Sequence, residues 1–282
     1  MEQEADGKKK HFKDYFSGND AVDLWEKVYA KDDIGGGSVK KRLEQTLAWF
    51  DELGLPGGAA VLDAGSGAGM LSREIMSRGF GVVAMDYSLG MLEKTRNLCQ
   101  NGGNPGVTLA QGDVEAIPFK DESLDAVISL GVVSYLRTID KALREFARVL
   151  KPGGVLIFST LNKVNIVGYF DIPVMIKNIA RKIAKRRKKE AGGGKTVSGE
   201  DAAHKRLFFT PRVVKSMRGL GFRGVEYKTI PYRLLTFNGK DIRPKRLNLK
   251  IVLALEKIPA LPVIGPMGGL CLFKGEKKQD SR

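Results

Sequence analysis

Three aspartates and one run of glycines are the residues whose types and spacing could do chemistry. Asp63 comes near the end of "AAVLDAG" (59–65), and Gly65, Ser66, Gly67, Ala68 and Gly69 follow it. Asp86 closes "GVVAMDY" (81–87) about twenty residues after the glycine turn, and Asp113 closes "VTLAQGD" (107–113). Each stretch is short, apolar and rich in β-formers, so each aspartate is expected at the carboxyl end of a strand. Alternate glycines permit positive φ and let backbone N–H groups approach a ligand closely. Such a turn also serves simply to pack a helix on a strand, so the carboxylates have to narrow the reading. At the rim of a pyrophosphate site Asp63 would repel the ligand; beside a positively charged one it would attract. A carboxylate at the end of a second strand is placed to accept both hydroxyls of a ribose. A third, followed by apolar Val114, suits an adenine amino group and ring face. Singly, each aspartate is an ordinary turn or capping residue. Together, on the sheet edge where such folds bind ligands, they describe a site for a cationic nucleoside.

The elements that must hold these residues alternate along the chain. Strands are expected at 59–65, 81–87, 107–113, 124–130 and 154–160, with helices at 70–80, 88–100 and 138–150. This rhythm means βαβ units and a doubly wound, Rossmann-like α/β sheet covered on both faces. A further helix is expected at 210–221, with Thr210 as its N-cap and Pro211 at its first position, followed by strands at 222–232 and 268–275. The organisation expected is an N-terminal tail and lid over 1–40, a cofactor-binding core over 41–160 and a basic insertion over 161–209. A closing helix and strands follow over 210–276, containing an apolar insertion at 233–266, with a tail over 277–282.

Five ordered motifs carry a resemblance: "VLDAGSGAG" (61–69), "VVAMDYS" (82–88), "QGDVEAIPF" (111–119), "LDAVISLGVVSYL" (124–136) and "RVLKPGGVLIFST" (148–160). They resemble class I S-adenosylmethionine-dependent methyltransferases, strongly over about residues 40–160 and loosely in the closing strands. The resemblance implies a seven-stranded mixed sheet with its last strand antiparallel, and S-adenosylmethionine as cofactor. It implies that Asp63, Gly65 and Gly67 line the methionine moiety, with Ser66 nearby. Asp86 would bind the ribose with Tyr87 beside the adenosine, and Asp113 and Val114 would hold the adenine. Leu130 and Gly131 would flank the transferred methyl, and "LKPGG" (150–154) would be a structural turn. The N-terminal "HFKDYFSGNDAVDLWEKVYA" (11–30), with Tyr15 and Tyr29, resembles the lid of methyltransferases acting on quinone precursors, tetrapyrroles and lipids.

A sulfonium methyl is already activated, so alignment and desolvation could supply on the order of ~7–11 kcal/mol of barrier reduction. A base is needed only where the acceptor must lose a proton, and His204, His11 and Tyr135 are the candidates. Solvated surface for the histidines and packing for the tyrosine are the plainer readings. The acceptor expected is small and hydrophobic, with oxygen favoured over carbon as the methylated atom.

The net charge of +15 favours an anionic partner. Much of it lies in "DIPVMIKNIARKIAKRRKK" (171–189), where isoleucines and Met175 recur at helical spacing among lysines and arginines. Such a helix suits an anionic membrane surface. Phosphate contact, hence RNA methylation, is the rival, although the "SLGVVSYL" segment lacks the Asn/Asp-Pro-Pro-aromatic signature of base-amine methyltransferases. Cys99 and Cys271 are expected as small core residues in a reducing cytoplasm, and no metal-ligand spacing stands out. The charged N-terminus shows no signal-peptide core, and prolines and charges break the longest apolar window, 251–273. A nicotinamide oxidoreductase and a non-catalytic, membrane-attached binding protein are the other function classes considered; Asp63 argues against the former. Oligomeric state is not legible.

Overall fold

The computed structural model describes residues 34–100, 107–163, 180, 206–230, 236–237, 240–241 and 269–279. Its strands are β1 (Val61–Ala64), β2 (Val82–Asp86), β3 (Thr108–Gln111), β4 (Leu124–Ser129), β5 (Leu150–Asn162), β6 (Leu207–Phe208), β7 (Phe222–Ile230), β8 (Thr236–Phe237), β9 (Lys240–Asp241) and β10 (Leu270–Lys277). The helices are α1 (Ile34–Asp51), α2 (Met70–Met76), α3 (Leu89–Gln100), α4 (Asp140–Val149) and α5 (Thr210–Gly219).

Seven strands lie in the order β3-β2-β1-β4-β5-β10-β7. The first five are parallel, and β10 runs antiparallel between β5 and β7, as the resemblance implies. Two-residue β6 adds a parallel rung at the far end of β5, pairing Leu207 with Leu161. Strand order reverses between β1 and β4, so a crevice opens at the carboxyl ends of those two strands, where ligands of doubly wound sheets bind.

Apolar strands buried on both faces explain the two core layers. On one face, Leu143, Phe146 and Val149 of α4 and Val213 and Met217 of α5 pack against Leu62, Phe158 and Phe273. The rings of Phe158 and Phe273 are cross-strand partners and stack at 5.1 Å. On the other face, Trp49 and Phe50 of α1, Ile75 and Met76 of α2, and Cys99 of α3 cover Val61, Ile128 and Ile157. Cys99 and Cys271 are both free and buried. No helix among the described residues is long and apolar enough to cross a membrane.

Several boundaries differ from the sequence expectation, each for a local reason. Helix α1 runs through residue 40, so the expected division between lid and core falls inside one continuous helix. Strand β3 stops at Gln111, and Asp113 lies beyond it in a turn closed by its pairing with Ala116. The "LKPGG" segment is part of β5 and not a separate turn, with a register shift opposite Leu124–Ala126 that accommodates Pro152 and the two glycines. Thr210 is the first helical residue and not the cap, which is Phe209. Its hydroxyl instead meets Cys271 Sγ at 3.2 Å and Asn162 Oδ1 at 3.4 Å, tying α5 to β10 and β5. Lys277, placed in the tail by sequence, completes β10.

Candidate functional site

The crevice is built from the turns that leave β1, β2 and β4. After β1 the chain turns sharply at Gly65, and the N–H groups of Gly65 and Ser66 both donate to Met85 O, at 2.7 and 3.0 Å. These bonds fix the glycine turn to the end of β2. Gly65 has φ +82°, and a Cβ there would lie 2.1 Å from Val132 Cγ2. Only glycine lets the β1 turn approach the segment after β4 so closely. From the other side, Thr95 of α3 donates to Gly67 O at 2.9 Å.

Asp86 is the hub of this turn. Its Oδ2 accepts the Gly67 N–H at 2.9 Å, and its Oδ1 accepts the Ser88 N–H at 2.9 Å. Burial pushes its pKa above the usual carboxylate range, while these N–H donors act in the opposite direction. Asp63 lies deeper, 1% exposed, with its Oδ2 accepting the Ser72 hydroxyl at 2.7 Å. Desolvation, partly offset by the Ser72 hydroxyl and reinforced by the negative Asp86 nearby, raises its pKa to about 7. Asp63 thus sits beneath the glycine turn, shut off from solvent.

The remaining residues divide into rim and support. Tyr87 is exposed at the rim. The Asp113 carboxylate accepts the Glu115 N–H at 2.9 Å, an Asx-turn that shapes the loop after β3. Val114 is buried in the core with Met85 and Ile117, under the loop that follows β3. Leu130 and Gly131 leave β4 into the crevice as expected, and the Gly131 N–H donates to buried Ser159 Oγ at 2.9 Å. Tyr135 ends a short 3₁₀ turn, Val133–Tyr135, that follows them. His11, Tyr15, Tyr29, His204 and nearly all of the basic stretch 171–189 lie outside the described residues.

One polar group at this crevice, Arg42, went unnoticed in the sequence, and Ser66, expected near the ligand, shares its unpartnered state. Arg42 of α1 is 5% exposed, yet its Nε has no hydrogen-bond partner. Its Nη1 lies 2.8 Å from where a Cβ on Gly131 would stand, so the guanidinium rests on that glycine. Ser66 Oγ is the second buried atom without a partner. In sequence Arg42 ends the run Lys40–Lys41–Arg42, which reads as a solvated face. Its position three residues after buried Val39 and four before buried Thr46 is the signal that places it on the inward stripe. No group of three or more His, Cys, Asp or Glu side chains among the described residues could hold a metal ion.

The fold is that of the class I methyltransferases. Residues 62–158 match the family model described as a methyltransferase domain. Demethylmenaquinone methyltransferase of Renibacterium salmoninarum is 40% identical over a stretch covering 40% of this chain and 47% of that protein. Malonyl-[acyl-carrier protein] O-methyltransferase of Erwinia pyrifoliae is 40% identical over 38% of this chain and 40% of its own. The chain thus spans less than half the length of these curated relatives. The structure of magnesium protoporphyrin IX methyltransferase from Synechocystis PCC 6803 with bound SAH superposes with a TM-score of 0.61 at 16% identity, covering 96% of this chain and 100% of that one. At that identity the likeness is one of fold.

Proposed function

We propose that the protein is an S-adenosylmethionine-dependent methyltransferase acting on a small, hydrophobic acceptor, with oxygen favoured over carbon as the methylated atom. The observation that carries this reading is the pair of carboxylates, buried Asp63 and half-buried Asp86, around a glycine turn at the β1/β4 crevice. Two features support the fit of the cofactor: the unpartnered Ser66 hydroxyl on the turn, and Gly67 beside it, where a Cβ would meet no protein atom within 4 Å. Bound there, S-adenosylmethionine supplies a methyl group already activated by its sulfonium.

The chain's own residues then have three tasks. Asp86 accepts the ribose hydroxyls at the end of β2, and Tyr87 and the Asp113 turn border the adenosine. Asp63, below the turn, favours positive charge in the crevice by its field. Leu130 and Gly131 form the wall at which the acceptor is aligned, and Tyr135 or His204 takes a proton where the acceptor must lose one. Residues 11–30 close over the crevice and exclude water. Among the names of the relatives, demethylmenaquinone in one supports a small, hydrophobic acceptor, and O-methyltransferase in the other supports oxygen as its atom.

The basic stretch 171–189 is proposed to hold the protein at an anionic membrane surface. The test incubates the full chain with methyl-labelled cofactor and a cell extract, then separates lipid from RNA. Label in a lipid-soluble small molecule supports the reading. Label confined to RNA replaces it with the reading that the net charge of +15 favours second.

A further inference from the structure

We propose that the outer side of α5, with the exposed residues that lead into it and Tyr227 beside it, is a docking face for an anionic lipid bilayer. The residues that form it belong to the folded core and lie outside 171–189; only its consequence for the acceptor rests on the function proposed above. Arg206, Arg212, Lys215 and Arg218 are all exposed, and none has an ion pair or a side-chain hydrogen bond among the described residues. No Asp or Glu occurs between Arg206 and Val225, so nothing in the local chain offsets these cations. The opposite layer differs: Arg73 pairs with Glu74 at 3.0 Å, and Arg78 with Asp51 at 2.8 Å. Positive charge left uncompensated on one face draws an anionic surface to that face.

The apolar side chains say which surface. Leu207 is 53% exposed, Phe209 37% and Tyr227 43%, three of the five large hydrophobic side chains exposed among the described residues. Tyr227 of β7 and Pro211, Val214, Lys215 and Arg218 of α5 line one shallow groove of about 360 Å³. Cations interleaved with aromatic and aliphatic side chains suit the boundary of a bilayer, where rings anchor among the headgroups and Lys or Arg meets phosphate. Base recognition commonly adds amide side chains to the cations, and no Asn or Gln occurs from Arg206 to Ile230. The face is held firmly, because Val213 and Met217 bury the other side of α5 in the core. Thr210 meets Asn162 at the carboxyl end of β5, and β5 is the parallel neighbour of β4, so α5 begins at the sheet end where the crevice opens. A bilayer lying on α5 therefore comes beside the crevice, and the hydrophobic acceptor proposed above reaches it without crossing water.

The experiment measures co-sedimentation of the full chain, with 171–189 in place, with vesicles of phosphatidylcholine alone or with phosphatidylglycerol as about a third of the lipid. The triple variant Arg212→Gln, Lys215→Gln, Arg218→Gln is compared with a charge-matched variant of the opposite layer, Arg73→Gln, Arg78→Gln, Arg96→Gln. At about fivefold per cation near the surface, neutralising α5 is expected to weaken binding to the anionic vesicles about 100-fold, and the opposite-layer variant by no more than about threefold. Tyr227→Ser should weaken binding at low and high salt alike, because its contribution is apolar. Amide exchange should slow over 207–220 when vesicles bind, and not over α2 and α3. Should the α5 triple variant fail to fold, the three single substitutions carry the test at about fivefold each. Equal losses for the two triple variants, or no loss for the α5 variant, would overturn the proposal. So would an α5 variant that loses binding to single-stranded RNA and keeps binding to vesicles. Binding of S-adenosylhomocysteine to the same proteins without vesicles reports on the function proposed above, so a failure of docking and a failure of that reading are told apart.

Discussion

Asp86 makes the first residue-scale prediction. Its two oxygens hold the turn through the N–H groups of Gly67 and Ser88, so its charge shapes the crevice and, in the function proposed above, is offered to the ribose. Asp86→Ala should lower cofactor affinity by about 10–100-fold, as expected for losing hydrogen bonds to a charged group, measured by calorimetry. Asp63 makes the second. Its folded pKa of about 7 lies above the ordinary 3.8, so the native state binds the proton more readily than the unfolded chain between those values. The ligand-free fold therefore loses stability as pH rises from about 4 to about 7 and levels off above. A cationic ligand prefers the ionised carboxylate, so its affinity should climb with pH through that window and proton release should accompany binding. Asp63→Asn keeps an acceptor for Ser72 and removes the charge. It should flatten the melting-temperature profile and abolish the proton release seen in buffers of different ionisation enthalpy; an unchanged profile would remove Asp63 from the account.

Helix α4 governs the loop that follows β3. Arg148 donates to Phe119 O and Ile117 O, both at 2.8 Å, and to Glu145, whose carboxylate accepts the Ile117 N–H at 2.7 Å. The same guanidinium pairs with exposed Asp121 at 2.6 Å, a contact that solvent screens. One helix thus fixes the far end of the loop that begins at Asp113. Arg148→Ala should destabilise the fold by roughly 1–3 kcal/mol, chiefly through unsatisfied loop carbonyls. Amide exchange should rise selectively over 113–121, and affinity for adenosine-containing ligands should fall with it. Uniform exchange across the sheet would deny the loop its dependence on α4. The contact between the β1 and β4 turns gives a second element-scale prediction. Gly65→Ala places a methyl 2.1 Å from Val132 Cγ2 at a positive φ, so the two turns must part and cofactor binding should be lost. Val132→Ala in the same chain should restore part of the binding by removing the clash, while the backbone strain persists.

The charge of the whole molecule is a property of composition, and where it acts is settled by liposome co-sedimentation. Binding to anionic vesicles that falls with salt and vanishes on deleting 171–189 is the expected result; loss only on removing another segment would reject that surface. Much of the fold was legible in the chain, because strand period, helix period and glycine stops are local signals. Asp63, Asp86 and the glycine run could be placed at strand ends from their neighbours alone. Asp113 could not, since only the pairing of β3 with β2 decides that the strand stops at Gln111. The burial of Val114 was not legible either, since Met85 and Ile117, which share its core cluster, come from separate stretches of the chain. Sequence by itself determined the order of elements and the chemical types gathered at one sheet edge, since both follow from residues within a turn or strand of each other. Tertiary structure alone decided that Asp63 is shut away at 1% exposure and that Arg42, from a basic run on a distant helix, rests on Gly131. Burial and the meeting of charges from separate elements are properties of packing, and no local pattern of residues encodes them.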